Sequence, residues 1–226
     1  MQPYFMPYLG YFQLARSCDQ FVFLDDVNFI RRGFINRNRI LLDGKPFAFS
    51  LPVIRASQNR PINRHSFAGA MELFLEQLRH AYRRAPFYGP VFRLVESLCL
   101  EPDMNVARKA AASVAAVFAY LGLPLNYSFA SSHPAEGLGG ECRILDICRR
   151  FDATAYHNAP GGRHLYDVAA FRAAGVCLRF VKGSFPAYGQ PGAETFVPGL
   201  SIIDVLMNNA PERVSRMLDD YVLEHA

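Results

Sequence analysis

Apolar and polar positions along this chain follow two periods in turn. Phe21–Leu24 is a short unbroken apolar run, bounded by Asp19 before it and Asp25–Asp26 after it, which is the pattern of a buried strand. Ile35–Leu42 and Pro46–Val53 flank Asp43–Gly44, a pair that adopts positive φ readily and so predicts a two-residue hairpin. Met71, Phe74, Leu75, Leu78 and Tyr82 then recur at helical spacing, giving one apolar face to a helix that ends before Pro86. Val91–Leu100 reads as another short helix. Asn105–Leu121 is an Ala-rich helix stopped by Gly122, the residue type that tolerates the left-handed cap.

The second half repeats a βα rhythm. Helix Glu141–Phe151 leads to strand Thr154–Asn158 and a turn at Ala159–Gly162. A helix around Tyr166–Ala174 and strand Val176–Val181 follow, and Gly183–Pro198 has the Gly and Pro content of a lid. Closing helices are expected at Leu200–Met207 and Pro211–Leu223, with Pro211 at a first helical position. This alternation predicts an α/β fold: a mostly parallel, Rossmann-like sheet flanked by helices, with a β-hairpin and a mainly helical middle section. Residues 1–226 read as one domain, with a helical subdomain over about residues 66–125.

Composition trims the options. Of 226 residues 51% are hydrophobic and 19% charged, the balance of an ordinary globular protein. A net charge of +4 suits an anionic small molecule but falls short of a nucleic-acid binder's profile. The longest apolar run, Ala110–Leu125, is too short to span a bilayer, and no signal-peptide pattern opens the sequence, so a cytoplasmic protein without membrane insertion is expected. Five cysteines without a C-x-x-C, and six histidines without ligand spacing, suggest reduced thiols and no metal site. No cofactor and no oligomeric state is specified by these patterns.

The candidate chemistry is concentrated early. Asp25 and Asp26 stand where ligands bind in open α/β folds, beyond the carboxyl end of a strand. An ionised carboxylate there can bind a divalent ion, accept hydrogen bonds from a sugar or amine, or act as a general base. Neighbouring side chains in extended chain point opposite ways, so one of the two is expected to face the pocket. The structural alternative is a turn cap paired with an arginine.

Arg31, Arg32, Arg37 and Arg39 follow without an intervening acid, and guanidinium forks match the geometry of a diphosphate. If the segment is a strand, Arg37 and Arg39 share one face and Asn36 and Asn38 the other. Basic residues also protect exposed strand edges, which is the plainer reading. Gln2–Pro3, Pro7–Tyr8 and Gly10 form a loop leading into a helix, where Gly10 permits close backbone approach. His157 falls at the end of its strand as a candidate catalytic group, and Gly161–Gly162 can offer backbone N–H groups to a ligand.

Several of these segments carry a resemblance. QPYFMPYLGYFQL, DQFVFLDDVNFIRRGFINRNRIL with the LPV after it, YRRAPFY, NAPGGRHLYD and LSIIDVLMNN resemble the WbqC-like family of bacterial cell-surface polysaccharide clusters over nearly the whole chain. The resemblance implies work on an activated amino sugar in O-antigen or related glycan synthesis, including glycine (aminoacyl) transfer. Positions shared with the family fall at Gln2, Pro3, Pro7, Gly10, Asp25, Asp26, Arg37, Asn38, Gly161, Gly162, Tyr166 and Asp204. The layout of the first loop is also similar to nucleotidylyltransferases and pantothenate-synthetase-like ligases. Those enzymes carry H-x-G-H there, whereas this chain has Pro7–Tyr8–Leu9–Gly10–Tyr11, which favours the architecture over the reaction. A nucleotide-sugar transferase is the leading expectation, with Asp25, Asp26 and His157 as catalytic candidates. Gln2, Pro3, Tyr8, Gly10, Arg31, Arg37, Asn38, Arg39, Gly161, Gly162 and Tyr166 are the substrate-binding ones. An ATP-dependent ligase and a nucleotide-sugar-binding module are the alternatives.

Overall fold

Eight helices and seven short strands form a mixed α/β molecule in the computed structural model, which describes residues 1–69, 71–135 and 137–226. Helix α1 (Leu9–Arg16) leads to β1 (Phe21–Phe23), which pairs in parallel with β4 (Tyr127–Phe129). Strands β2 (Arg37–Leu42) and β3 (Lys45–Ser50) make the expected hairpin. Its two turn residues, Asp43 and Gly44, have φ of 48° and 73°, the pair of positive values that a tight hairpin turn needs. A third sheet joins β5 (Ala155–Asn158) in parallel to β6 (Cys177–Gly183), and β6 antiparallel to β7 (Tyr221–His225).

The expected α/β class is therefore present, with a hairpin and a helical middle section, but in place of one mostly parallel Rossmann-like sheet there are three small pieces, two of whose four strand pairings are antiparallel. Two strands escaped the sequence pattern. Tyr127–Phe129 is only three residues long, too short for a period to show. The last helix stops at Asp219, and residues 221–223, expected to continue it, are extended in β7, which pairs with β6. The β-formers Tyr221, Val222 and Leu223 gain a ladder there that a helix does not offer.

Helices α2 (Glu72–Tyr82), α3 (Tyr88–Leu100) and α4 (Val106–Tyr120) pack in one continuous apolar core with the N-terminal segment, β1 and the closing helices α7 (Ile202–Asn208) and α8 (Pro211–Asp219). Asn105 caps α4 by accepting from Arg108 N–H at 3.1 Å. A second, smaller core lies under β5 and β6, where Ile144 and Cys148 of α5 (Gly140–Arg150) meet Phe171, Val176, Leu178 and Phe180. No helix among the described residues is long and apolar enough to cross a membrane.

The first loop is set into the main core. Met6 has φ of 46°, and its N–H donates to Ser113 Oγ at 3.0 Å while its carbonyl accepts from Asn38 Nδ2 and Ser201 Oγ. Three side chains remote in sequence thus hold one strained residue in place. The Gly183–Pro198 loop, expected as a lid, is fastened rather than free. Tyr188 and Gln190 donate to the buried Asp204 carboxylate at 2.6 and 2.8 Å, and Gly192 packs so closely on Gly44 that a Cβ at Gly44 would lie 1.9 Å from its carbonyl oxygen.

Candidate functional site

The two carboxylates after β1 take different places. Asp25 is buried, and both its oxygens are filled: Oδ1 accepts from Ser131 N–H at 2.9 Å, Oδ2 from Ser131 Oγ at 2.6 Å and Asn63 Nδ2 at 3.0 Å. This ties β1 to the segment after β4. Asp26 points the other way, as the alternation of extended chain requires, into a cleft of about 690 Å³. That is within the usual size of a small-ligand site.

The cleft is closed on one side by the N-terminus of α5 and on another by Leu165 and Tyr166, which follow β5. It therefore stands beyond the carboxyl ends of both β1 and β5, where open α/β folds bind ligands. Asp26 Oδ2 accepts from Arg143 Nη2 at 3.1 Å, and its side chain keeps 31% of its exposure. Its Oδ1 accepts no hydrogen bond from the described residues. Arg143 itself is buried and oriented, donating also to Ala130 O at 2.7 Å and to Asp146 Oδ2 at 3.3 Å. Asp146 in turn accepts from Arg149 and Arg150.

Helix α5 begins Gly139–Gly140, with no side chain capping it. Its first backbone N–H groups have no helical acceptor, and Gly139, Gly140 and Glu141 line the cleft, an arrangement that favours an anion. Gly140 has φ of 52°, and a Cβ at either glycine would meet nothing within 4 Å. Glu141, which also lines the cleft, accepts from Asp167 N–H and so joins α5 to α6 (Val168–Ala173). Tyr166 brings a phenol, its oxygen 3.0 Å from Tyr156 Oη and accepting from Asn158 Nδ2 at 2.9 Å. Burial pushes the Tyr166 pKa up, so the group is a neutral hydrogen-bonding hydroxyl at ordinary pH.

The other candidates are spread more widely. His157 does not line this cleft; it is half-buried on β5, its Nδ1 is 3.1 Å from Ser17 Oγ, and burial lowers its pKa. Gly161 and Gly162 lie in a 3-10 turn (Pro160–Leu165) that delivers Leu165 and Tyr166 to the cleft. Gly162 backs onto Asn158, where a Cβ would come within 2.8 Å of Nδ2. Gln2 accepts at its carbonyl from Tyr11 Oη at 2.8 Å, and Pro3 is buried. Tyr8 stacks on Phe185 with centroids 6.1 Å apart, and Gly10 leaves room for that pair.

Arg31 and Arg32 are exposed in the segment after Asn28, which itself lines the cleft. Arg37 is half-buried and Arg39 exposed on β2, and Asn38 is buried on the Met6 carbonyl. None of the four arginines has a carboxylate partner among the described residues. Nor do these residues contain a group of three or more His, Cys, Asp or Glu able to hold a metal ion.

Two contributors were passed over in the sequence. Gly139–Gly140 directly precedes a predicted helix, the same signal that drew attention to Gly161–Gly162. Arg143 falls within one turn of the buried Ile144 and Ile147, so a charge on an apolar face was its mark.

Comparison with known proteins gives a family rather than a reaction. The uncharacterized protein Rv1507c of Mycobacterium tuberculosis is 25% identical over 218 residues, spanning 94% of this chain and 93% of that protein. No solved structure matches the chain. The profile of the WbqC-like protein family matches residues 2–216, nearly the whole length, and the chain belongs to that family.

Proposed function

We propose that this protein is a transferase acting on a nucleotide-activated amino sugar, passing an acyl or aminoacyl group such as glycyl to the sugar amine. The observation that carries the reading is the unfilled Asp26 oxygen, set in a cleft that an uncapped helix N-terminus also lines. A carboxylate suits an amine, and the N–H groups of α5 suit an anionic group of the same ligand.

In the reaction, Asp26 orients the amine and takes its proton as the nitrogen attacks the donor carbonyl. The C–N bond forms and the bond to the donor's leaving group breaks. Arg143 holds the Asp26 carboxylate in its pose, and Tyr166 hydrogen-bonds a sugar hydroxyl. Arg31 and Arg32, exposed a few residues beyond Asn28, would bind the diphosphate, with Arg37 and Arg39 as further cations without a carboxylate partner among the described residues. Positioning of two substrates supplies much of the rate, so no protein nucleophile is required.

The test is a thermal-shift panel of UDP- and dTDP-amino sugars on wild type and Asp26→Asn, followed by mass spectrometry of the acylated product. A ligand at a hundred times its Kd adds about 2.7 kcal/mol. Stabilisation by a nucleotide sugar that disappears in Asp26→Asn supports the reading. An equal shift in both proteins, or turnover intact in Asp26→Asn, rejects the role of Asp26. The same uncapped helix would also suit a nucleoside triphosphate, so Mg-ATP belongs in the panel. A shift with Mg-ATP alone favours ligase or nucleotidyl-transfer chemistry.

A further inference from the structure

Three exposed large hydrophobic side chains gather on two adjacent turns. Gly33 N–H donates to Ile30 O at 3.3 Å, closing a turn with Arg31 and Arg32 at its tip, Ile30 on one flank and Phe34 on the other. Ile54 and Arg55 form the second turn. Arg60 fastens the two together: its carbonyl accepts from Phe29 N–H at 3.0 Å, and its Nη2 donates to Arg55 O at 3.0 Å. Ile30, Phe34 and Ile54 keep 46, 57 and 51% of their exposure. Scattered singly, such side chains are ordinary; held in one group, they mark an interaction surface.

The charge around them is one-sided. Residues 27–69 carry eight Lys or Arg and a single acid, Asp43, a net +7; with the whole chain at +4, the remainder is −3. Arg31, Arg32 and Arg55 are exposed, and none has a carboxylate partner among the described residues. Arg32 and Arg55 have φ of 61° and 47°, left-handed backbone where stability alone favours glycine or asparagine. Each tip therefore keeps a cation at a conformational cost.

We propose that these two turns dock the protein onto the surface of an anionic lipid bilayer. Ile30, Phe34 and Ile54 enter the boundary between headgroups and acyl chains, and Arg31, Arg32 and Arg55 meet the lipid phosphates. The pairing of aliphatic tips with free cations selects this occupant. A nucleic acid would satisfy the arginines, but Ile30 and Ile54 offer no ring for a base to stack on. A second copy on the same patch would set arginine against arginine. Contact at headgroup level needs no spanning segment, and no helix among the described residues is one. Val27 and Asn28, just before the first turn, line the Asp26 cleft, so a docked molecule holds that cleft next to the bilayer. The inference goes beyond the proposed reaction and does not rest on it.

The experiment is co-sedimentation of the full chain with vesicles of phosphatidylcholine alone and with about one-third phosphatidylglycerol. It compares wild type with the triple variant Ile30→Ser, Phe34→Ser, Ile54→Ser. Arg31 and Arg32 stay in place, so the diphosphate role proposed for them is untouched. Wild type should bind the anionic vesicles at least about tenfold more tightly than the neutral ones, and ~0.5 M salt should remove the difference. The triple variant, changed only at the surface, should keep its Tm and lose at least about tenfold in partition. Because the chain has no tryptophan, Phe34→Trp adds a single reporter whose emission should shift to the blue on anionic vesicles. No binding, equal binding to both vesicle types, equal binding by the triple variant, or unshifted emission from bound protein overturns the proposal. A duplex oligonucleotide that displaces the vesicles and binds the triple variant as well as wild type overturns it in favour of nucleic acid. A dimer that the triple substitution abolishes overturns it in favour of self-association.

Discussion

Asp25 and Asp26 are the same residue type, adjacent in the chain and at the end of the same strand, yet they sit in opposite settings. On the Asp25 side every acceptor is filled by Ser131 and Asn63, and the group is shut away from solvent. On the Asp26 side one oxygen is held by Arg143 and the other is open to a cleft. A buried carboxylate with all its hydrogen bonds made contributes order, because removing it strands its donors. One with a vacant lone pair in a cleft can exchange a proton or bind an amine. The comparison shows that residue type and position in sequence do not separate these roles; the donors that converge from elsewhere do.

The contrast can be broken by substitution. Asp25→Ala leaves the Ser131 and Asn63 donors unsatisfied and should lower unfolding free energy by about 3 kcal/mol in a denaturant titration. Loss of under about 1 kcal/mol there would mean that the site relaxes and that Asp25 is not the anchor. Arg143→Met should cost about 2 kcal/mol, less than many buried pairs because Asp146 retains Arg149 and Arg150. It should also weaken ligand stabilisation, since Asp26 loses its orienting partner. Asp26→Asn should change unfolding free energy by about 1 kcal/mol or less, while nucleotide-sugar affinity drops at least about tenfold. Intact affinity in that variant would make the two carboxylates equivalent after all.

Smaller effects sharpen the picture at its margins. Gly140→Ala forces a Cβ into left-handed backbone and should cost about 1 kcal/mol, whereas Gly161→Ala, without positive φ or a close neighbour, should be nearly neutral. Acid should also destabilise the protein through His65. Its Nδ1–H donates to Pro61 O at 2.8 Å, so Nε2 must accept from Ser57 N–H at 3.1 Å, and this demands a neutral ring. Burial lowers its pKa in the fold, so the unfolded chain binds the proton more readily. The contribution is complete above the unfolded value of 6.5 and declines as pH falls through it toward the lower folded value. His65→Gln should flatten that part of the stability profile, measured between about pH 7 and 5.

Much of the local structure was legible. The hairpin turn follows from the positive-φ tolerance of Asp43–Gly44, the α2 stripe from Met71 to Tyr82, and the Gly122 stop from its φ of 67°. These are interactions among near neighbours, which a window of the sequence contains. The position beyond a strand's carboxyl end also marked Asp25 and Asp26 as a pair. Strand β7 was missed because β-formers at the end of a chain take the structure of whatever edge receives them, here β6.

The sequence by itself determined most of the elements and their order, the family and a short list of polar groups near one strand end. Tertiary structure decided which of them meet. It brought Asn63 and Ser131 onto Asp25, set Arg143 from α5 against Asp26, and placed Tyr166 on the same cleft. It also left the four early arginines without a carboxylate partner among the described residues. The physical reason is separation: Arg143 is 117 residues from Asp26 and Ser131 is 106 from Asp25. Contacts closed across such loops depend on how the cores pack, and no local pattern encodes them.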